Sequence, residues 1–368
     1  MRNNLIMFQP DTNPLVVGSG LVALDVMLDE RSETPPRLWA GGTCGNVLSI
    51  LAFLGWRSLP VARLARDAAS RLIIRDLKRW GVDVEFVSVA PTTPGPIIVH
   101  RIRQNSAGEP FHSFSLNCPD CGRHLPSYRP VPAVSIEGVL PQIPKPSVFF
   151  ADRVSRGVIT LARSLKDRGA LIVFEPSGAS DQSQFKEMLS LTHVLKYSQE
   201  RLPYLETSLE IPLVVETMGR GGLRFRSRLP GAKSKGWERC EPYKLNRYVD
   251  TAGAGDWCTA GILHVLGRHG AKAFTRVGTP KLHSAISFGQ ALAAWNCGFR
   301  GARGGMYSVS TDEFRQNLGQ ILDRGGHLLP EEDEPKKALG KVVPRVCAEC
   351  RGVTRTLASR PLLRLLHG

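Results

Sequence analysis

The chain has 368 residues, 42% of them hydrophobic and 22% charged, which suffices to bury the core of one large α/β domain and excludes a disordered or fibrous protein. Lysine and arginine outnumber aspartate and glutamate by 48 to 33; the formal charge of +15 favours anionic partners but does not choose among nucleotides, phosphorylated metabolites and nucleic acid. Runs such as Ala170–Phe174 fall far short of the ~20 apolar residues of a membrane span, and Met1–Pro10 lacks the regions of a signal peptide, so a cytoplasmic location without a membrane partner is expected.

In chain order, the apolar runs Leu15–Gly18 and Leu21–Leu28 read together as a first strand carrying Asp25 near its end. Gly41-Gly42 opens a helix over Asn46–Leu54, closed by Gly55, and a second helix runs over Ala68–Trp80 to Gly81. From Val82 to Ser115 β-branched and polar residues alternate, as in Ile97–Ile102 and Phe111–Phe114 around the turn-prone Asn105–Gly108, which predicts an antiparallel ribbon. Leu116–Pro146 is proline-rich with little periodicity and reads as an irregular insertion. Strands over Val148–Ala151, Leu171–Glu175, His193–Tyr197 and Leu213–Thr217 then alternate with helices over Val158–Asp167 and Gln182–Leu191, and helices over Gly255–Arg268 and Leu282–Asn296 follow. Such alternation implies βαβ units and a doubly wound, mostly parallel sheet flanked by helices. A boundary is expected near Pro330, where an acidic cluster and a basic tail (331–368) replace the pattern.

The sharpest chemical signal is Asp250-Thr251-Ala252-Gly253-Ala254-Gly255-Asp256, placed between β-prone Tyr248-Val249 and an apolar helix. Glycines allow close approach of backbone to ligand, and N–H groups at a helix N-terminus converge on an anion. Residues Ala252, Gly253, Ala254 and Gly255 therefore read as an anion hole, with Asp256 placed in the first turn to accept a proton from an attacking hydroxyl.

The heptapeptide resembles the D-T-x-G-A-G-D signature of the ribokinase-like (PfkB) kinases, and further motifs follow in that family's order over about residues 14 to 325. Gly41-Gly42-Thr43-Cys44-Gly45-Asn46 is similar to G-G-x-x-x-N, which implies that Gly41, Gly42 and Asn46, with Asp25, hold the substrate's hydroxyls. Thr217-Met218-Gly219-Arg220-Gly221-Gly222 resembles the turn that lies against the nucleotide phosphates, implying nucleotide contacts at Thr217, Gly219, Gly221 and Gly222. Gly301-Ala302 resembles the adenine-side wall. The resemblance implies ATP and Mg²⁺ as cofactors, a β lid built from about 26–39 and 91–115, and a homodimer through that lid; the cysteine-containing insertion, about 116–146, follows the lid strands. It also implies K⁺ at Asp250 and Thr251. One element departs from the pattern: Lys196-Tyr197-Ser198-Gln199-Glu200-Arg201 has Arg201 where the family's water-mediated magnesium carboxylate stands, leaving Glu200 one residue early as the candidate. The expected activity is ATP-dependent phosphorylation of a sugar-like hydroxyl. The alternatives are a nucleoside kinase, or a binding or regulatory protein of this fold with little catalysis that recognises nucleic acid or a protein.

Eight cysteines without an export signal argue against a disulfide framework. Cys118-Pro-Asp-Cys121 and Cys347-Ala-Glu-Cys350 have the spacing with which thiolates clasp zinc, and together they would close a tetrahedral structural site; a redox pair and unrelated cysteines are the alternatives. His124 offers an imidazole nearby. If zinc binds, the C-terminal tail must fold back onto the segment after the lid strands.

Overall fold

The computed structural model describes residues 13–29, 36–90, 93–104, 110–179, 181–203, 205, 210–246, 248–324 and 347. The chain opens with β1 (Leu15–Ser19), β2 (Ala23–Asp29) and β3 (Arg37–Gly41), then α1 (Thr43–Phe53), β4 (Arg57–Pro60), β5 (Ala62–Leu64), α2 (Ala68–Arg79) and β6 (Val87–Val89). The hairpin β7 (Ile97–Gln104) and β8 (Pro110–Ser115) leads to α3 (Ala133–Val139). The alternating half comprises β9 (Val148–Ala151), α4 (Arg156–Asp167), β10 (Leu171–Phe174), α5 (Gln182–Leu191), β11 (Val194–Ser198) and β12 (Leu213–Thr217). It is followed by β13 (Leu223–Ser227), β14 (Glu238–Cys240), α6 (Ala254–Leu266), α7 (Gly270–Phe274), α8 (Thr279–Asn296), α9 (Gly304–Ser308) and α10 (Thr311–Arg324).

The main sheet has eight strands in the order β14-β13-β12-β11-β10-β9-β1-β4, parallel from β4 to β12 and antiparallel at the β12–β13–β14 edge. Consecutive residues of its central strands are buried on opposite faces, as a parallel sheet covered on both sides requires. Val16, Phe150 and Val173 pack into one core with residues of α1, α6 and α8, and Val17, Phe149 and Ile172 into another with residues of α4 and α5. Asp67, Ser155 and Asp181 cap α2, α4 and α5 by accepting a backbone N–H three residues on.

The expected single first strand is two strands in two sheets. β1 lies between β9 and β4, while β2 joins a four-stranded lid sheet in the order β3-β2-β7-β8. The break falls at Gly20, where any Cβ would overlap Asp152 Oδ1, so the chain turns through a gap that only glycine fits. Asp25 consequently sits within a lid strand, in register with Trp39 and Ile98. The ribbon is antiparallel at β7–β8 as expected, but β7 pairs with β2 in parallel. The insertion is less irregular than its sequence suggests: Asn117 bridges His124 and α3 follows. The turn Asn105–Gly108 and, except for Cys347, the tail lie outside the described residues.

Candidate functional site

α6 begins on Gly253, which has φ +74° and no side-chain cap, unlike α2, α4 and α5. A Cβ at Gly253 would overlap the backbone of Ala302, so left-handed φ and close packing both demand glycine. Asp250 holds this loop by accepting the N–H groups of Ala252 (3.0 Å) and Gly301 (2.8 Å). Asn296 Nδ2 donates to the carbonyls of Ala252, Gly301 and Ala302, and Trp257 Nε1 donates to Ala302 O at 3.0 Å. Gly301-Ala302 thus buttresses the α6 loop, and a Cβ at Gly301 would press on Met27 and Trp39 of the lid sheet. That places the pair against the lid sheet.

Asp256 stands in the first turn of α6 and receives Asn46 Nδ2 at 2.7 Å across a separation of 210 residues. Burial of the carboxylate, then the negative Glu175, push its pKa up to about 7, while Asn46, Lys196 and Arg201 work against the rise. Asn46 is itself held: its Oδ1 accepts Arg303 Nε at 3.1 Å. Arg303, 1% exposed, also donates to Ala40 O and to Asp76 Oδ2 (2.8 Å), and Asp76 accepts Ala40 N–H (2.9 Å) and Tyr307 O–H (2.7 Å). Tyr307 stacks on Trp39 with ring centroids 4.4 Å apart. The Asp256 carboxylate is therefore oriented by a buried network that reaches β3.

On the other side of α6, Lys196 Nζ bonds Glu175 Oε1 at 2.5 Å and Thr259 Oγ1 donates to Glu175 Oε2. A Cβ on Gly255 would lie 3.6 Å from Lys196 Nζ and 3.7 Å from Glu175 Oε1, so this pair borders the N-terminus of α6. Burial disfavours the ammonium, but the Glu175 carboxylate outweighs it and holds Lys196 charged beyond the ordinary lysine range.

In the lid, Asp25 is 4% exposed, and Gly41 permits its position, since a Cβ there would overlap the Asp25 carboxylate. His100 Nε2 lies 3.1 Å from Asp25 Oδ1, an ion-pair distance without hydrogen-bond alignment. Burial opposes protonation of His100; Asp25, with smaller help from Asp250 and Asp256, prevails and raises its pKa. Gly42 has φ +77° and forms the start of α1 against Leu21. The structure thus gathers Asp25, Gly41, Gly42 and Asn46 beside the α6 loop.

Thr217 ends β12, and Gly219–Gly221 form a single 3-10 turn with Gly219 at φ +56° and Gly222 at φ +78°. Gly222 cannot carry a side chain without meeting Cys240 O. Glu200 is exposed on the turn after β11; Arg201 is the residue of that turn whose field reaches Asp256. Thr251 is exposed beside Asp250. A separate cavity of about 280 Å³ opens beyond β9 and β10, lined by Arg153, Ser177 and Asp181 among others, and does not include Asp256.

The Sγ atoms of Cys118, Cys121 and Cys347 lie within 4.8 Å of one another, and no other group of three metal-binding side chains occurs among the described residues. Cys350 lies outside those residues, and His124 is not part of the cluster. Lys196, Glu175, Asp76, Arg303 and His100 were not singled out as site residues from the sequence. A lysine within the apolar run Val194–Tyr197 and a glutamate ending Leu171–Phe174 were the available signals; Arg303 offered none.

No model of a known protein family matches the chain, and no curated protein matches it. Solved structures do. A double mutant of fructokinase from Vibrio cholerae, in a fructose-, ADP- and potassium-bound form, is 20% identical with a TM-score of 0.61, covering 80% of this chain and 95% of that one. Arabidopsis thaliana ribokinase, complexed with ribose and ATP, is 18% identical with a TM-score of 0.58, covering 85% and 99%. A nucleoside kinase of Burkholderia thailandensis in complex with inosine is 15% identical with a TM-score of 0.59, covering 84% and 97%. The chain has the ribokinase fold. Among the described residues no helix is long and apolar enough to cross a membrane.

Proposed function

We propose that the protein is an ATP-dependent kinase that phosphorylates a hydroxyl of a sugar or sugar-like small molecule, with Asp256 as general base. One arrangement carries this reading: a carboxylate in the first turn of a helix that lacks a side-chain cap, aimed by Asn46 and raised in pKa to about 7. A base with that pKa is well matched to neutral pH. The substrate hydroxyl gives its proton to Asp256 as its oxygen bonds the γ-phosphorus; the bond from that phosphorus to the bridging oxygen breaks, and ADP leaves with the electron pair. The N–H groups of Ala252, Gly253, Ala254 and Gly255, with Lys196 beside them, stabilise the charge on the transferring group.

Asp25, held by His100, accepts substrate O–H groups. Asn46 has a second amide hydrogen to offer, and Gly41 and Gly42 keep the space clear. Thr217, Gly219, Gly221 and Gly222 line the nucleotide phosphates. Mg²⁺ arrives with ATP, held mainly by phosphate oxygens and water, and neutralises their charge; Glu175, which borders the α6 N-terminus, is better placed than exposed Glu200 to meet its water shell. Asp250 and Thr251 are proposed to contact K⁺. The lid sheet ends on β8, where Phe114 and Leu116 are exposed, and this edge would pair two copies.

Arg201, standing where the resemblance implies a carboxylate, favours a second reading: a ribokinase-fold protein that binds nucleic acid or a protein with little catalysis. Phosphate transfer from Mg-ATP across a panel of sugars and nucleosides, run with wild type and Asp256→Asn, separates the two. Turnover of a sugar that disappears in the variant supports the kinase, and a nucleoside would replace the sugar. No turnover, together with salt-sensitive RNA binding that survives Asp256→Asn, supports the second reading.

A further inference from the structure

Cys118 and Cys121 form a tight knuckle directly after the lid sheet. The Cys118 carbonyl accepts Gly122 N–H at 2.9 Å, Cys118 N–H donates to Arg123 O at 2.8 Å, and Gly122 supplies the left-handed φ of +72° that the turn needs. The strands leading in and out are tied together by Leu125 N–H to Leu116 O at 2.6 Å, and the exit is tied to β7 by Ile97 N–H to Pro126 O at 3.0 Å. Against this knuckle the chain places Cys347, 9% exposed, with its Sγ 3.8 Å from that of Cys121. Four sulfurs around zinc at about 2.3 Å stand about 3.8 Å apart, the edge of the tetrahedron. The observed separation matches that edge, and a disulfide would join only two of the three converging sulfurs.

The geometry points to a structural zinc site built from Cys118, Cys121 and Cys347, with Cys350, three residues further along the sequence, as the fourth thiolate. Each ligating thiol releases its proton as the metal binds, and four sulfurs leave no open coordination position, so the ion holds structure rather than reacting. The site fastens the C-terminal part of the chain to the exit of the lid and stands independently of the kinase reading.

The test is metal analysis of the full-length protein purified without chelators. We expect one zinc per chain in the wild type and in the control Cys240→Ser, and none in Cys121→Ser or Cys347→Ser. A strong chelator should lower the melting temperature of the wild type, and Co²⁺ exchange into it should give the thiolate charge-transfer and tetrahedral d–d absorption of a sulfur site, so the conclusion survives even if a variant fails to fold. Wild-type protein free of metal with reactive thiols, protein carrying iron, or a Cys121–Cys347 disulfide found by mass spectrometry would each overturn the assignment.

Discussion

Asp256→Asn separates catalysis from stability, because asparagine keeps the shape and an acceptor oxygen for Asn46 while removing the base and its charge. The folded-state pKa of about 7 stands ~3 above that of an unfolded aspartate, and at ~1.4 kcal/mol per pH unit the ionised carboxylate costs at most ~4 kcal/mol. Asp256 keeps some solvent contact and shares its field with Glu175 and Lys196, so we reduce this to about 1–2 kcal/mol. The sign follows from a raised pKa: the stability that protonation contributes is complete below ~pH 4 and is lost as pH rises through ~7. Asparagine does not titrate. We therefore expect the variant to gain about 1–2 kcal/mol on wild type between ~pH 4 and ~pH 8 in chemical denaturation. Over the same range, wild-type turnover should climb through pH ~7 while the variant stays about 10²–10⁴-fold lower in an ADP-release assay. A stability difference that does not change with pH, or a variant that keeps a tenth or more of the activity, would refute the reasoning.

Arg303→Met should destabilise by about 3–5 kcal/mol, because it leaves Asp76 buried without its cation, and adding Asp76→Asn should recover part of that loss in urea titrations. Arg303→Lys keeps the charge but cannot serve Asn46, Ala40 and Asp76 at once; kcat should fall more than KM changes. Gly253→Ala should cost about 2–4 kcal/mol, from left-handed φ and the overlap with Ala302, with loss of ATP-dependent turnover. Lys196→Met should lower kcat about 10²-fold by removing a cation at the α6 N-terminus, measured at saturating substrate.

Local signals carried much of the architecture. The glycine-rich run before α6, Gly41-Gly42 before α1 and the strand–helix alternation from Val148 onward are spelled out within a few residues of where they act. What escaped depends on distant partners. Leu15–Leu28 is apolar almost throughout, so periodicity cannot show that it serves two sheets; only the pressure of Asp152 on Gly20 reveals the break. Arg303 reads as one more basic loop residue until Asp76, 227 positions earlier, is seen beside it. The antiparallel edge β13–β14 was passed over because such short strands near turns carry little periodic signal, whereas α10 was legible in the helical spacing of Phe314, Leu318, Ile321 and Leu322 and was overlooked. The two C-x-x-C pairs were legible, and the structure brings both residues of the first pair and Cys347 of the second together, with Cys350 outside the described residues.

The span of the Arg303 network also bears on biosynthesis. The ribosome delivers Asp76 and Asn46 long before their guanidinium partner, 227 and 257 residues later. Until that arginine emerges, burying Asp76 would strand a charge, so the nascent N-terminal half has reason to stay open around β3 and α2. Assembly around Asn46 and Asp256 is thereby postponed until synthesis is nearly complete, and a chain terminated before residue 303 would present chaperones and proteases with a half-closed molecule.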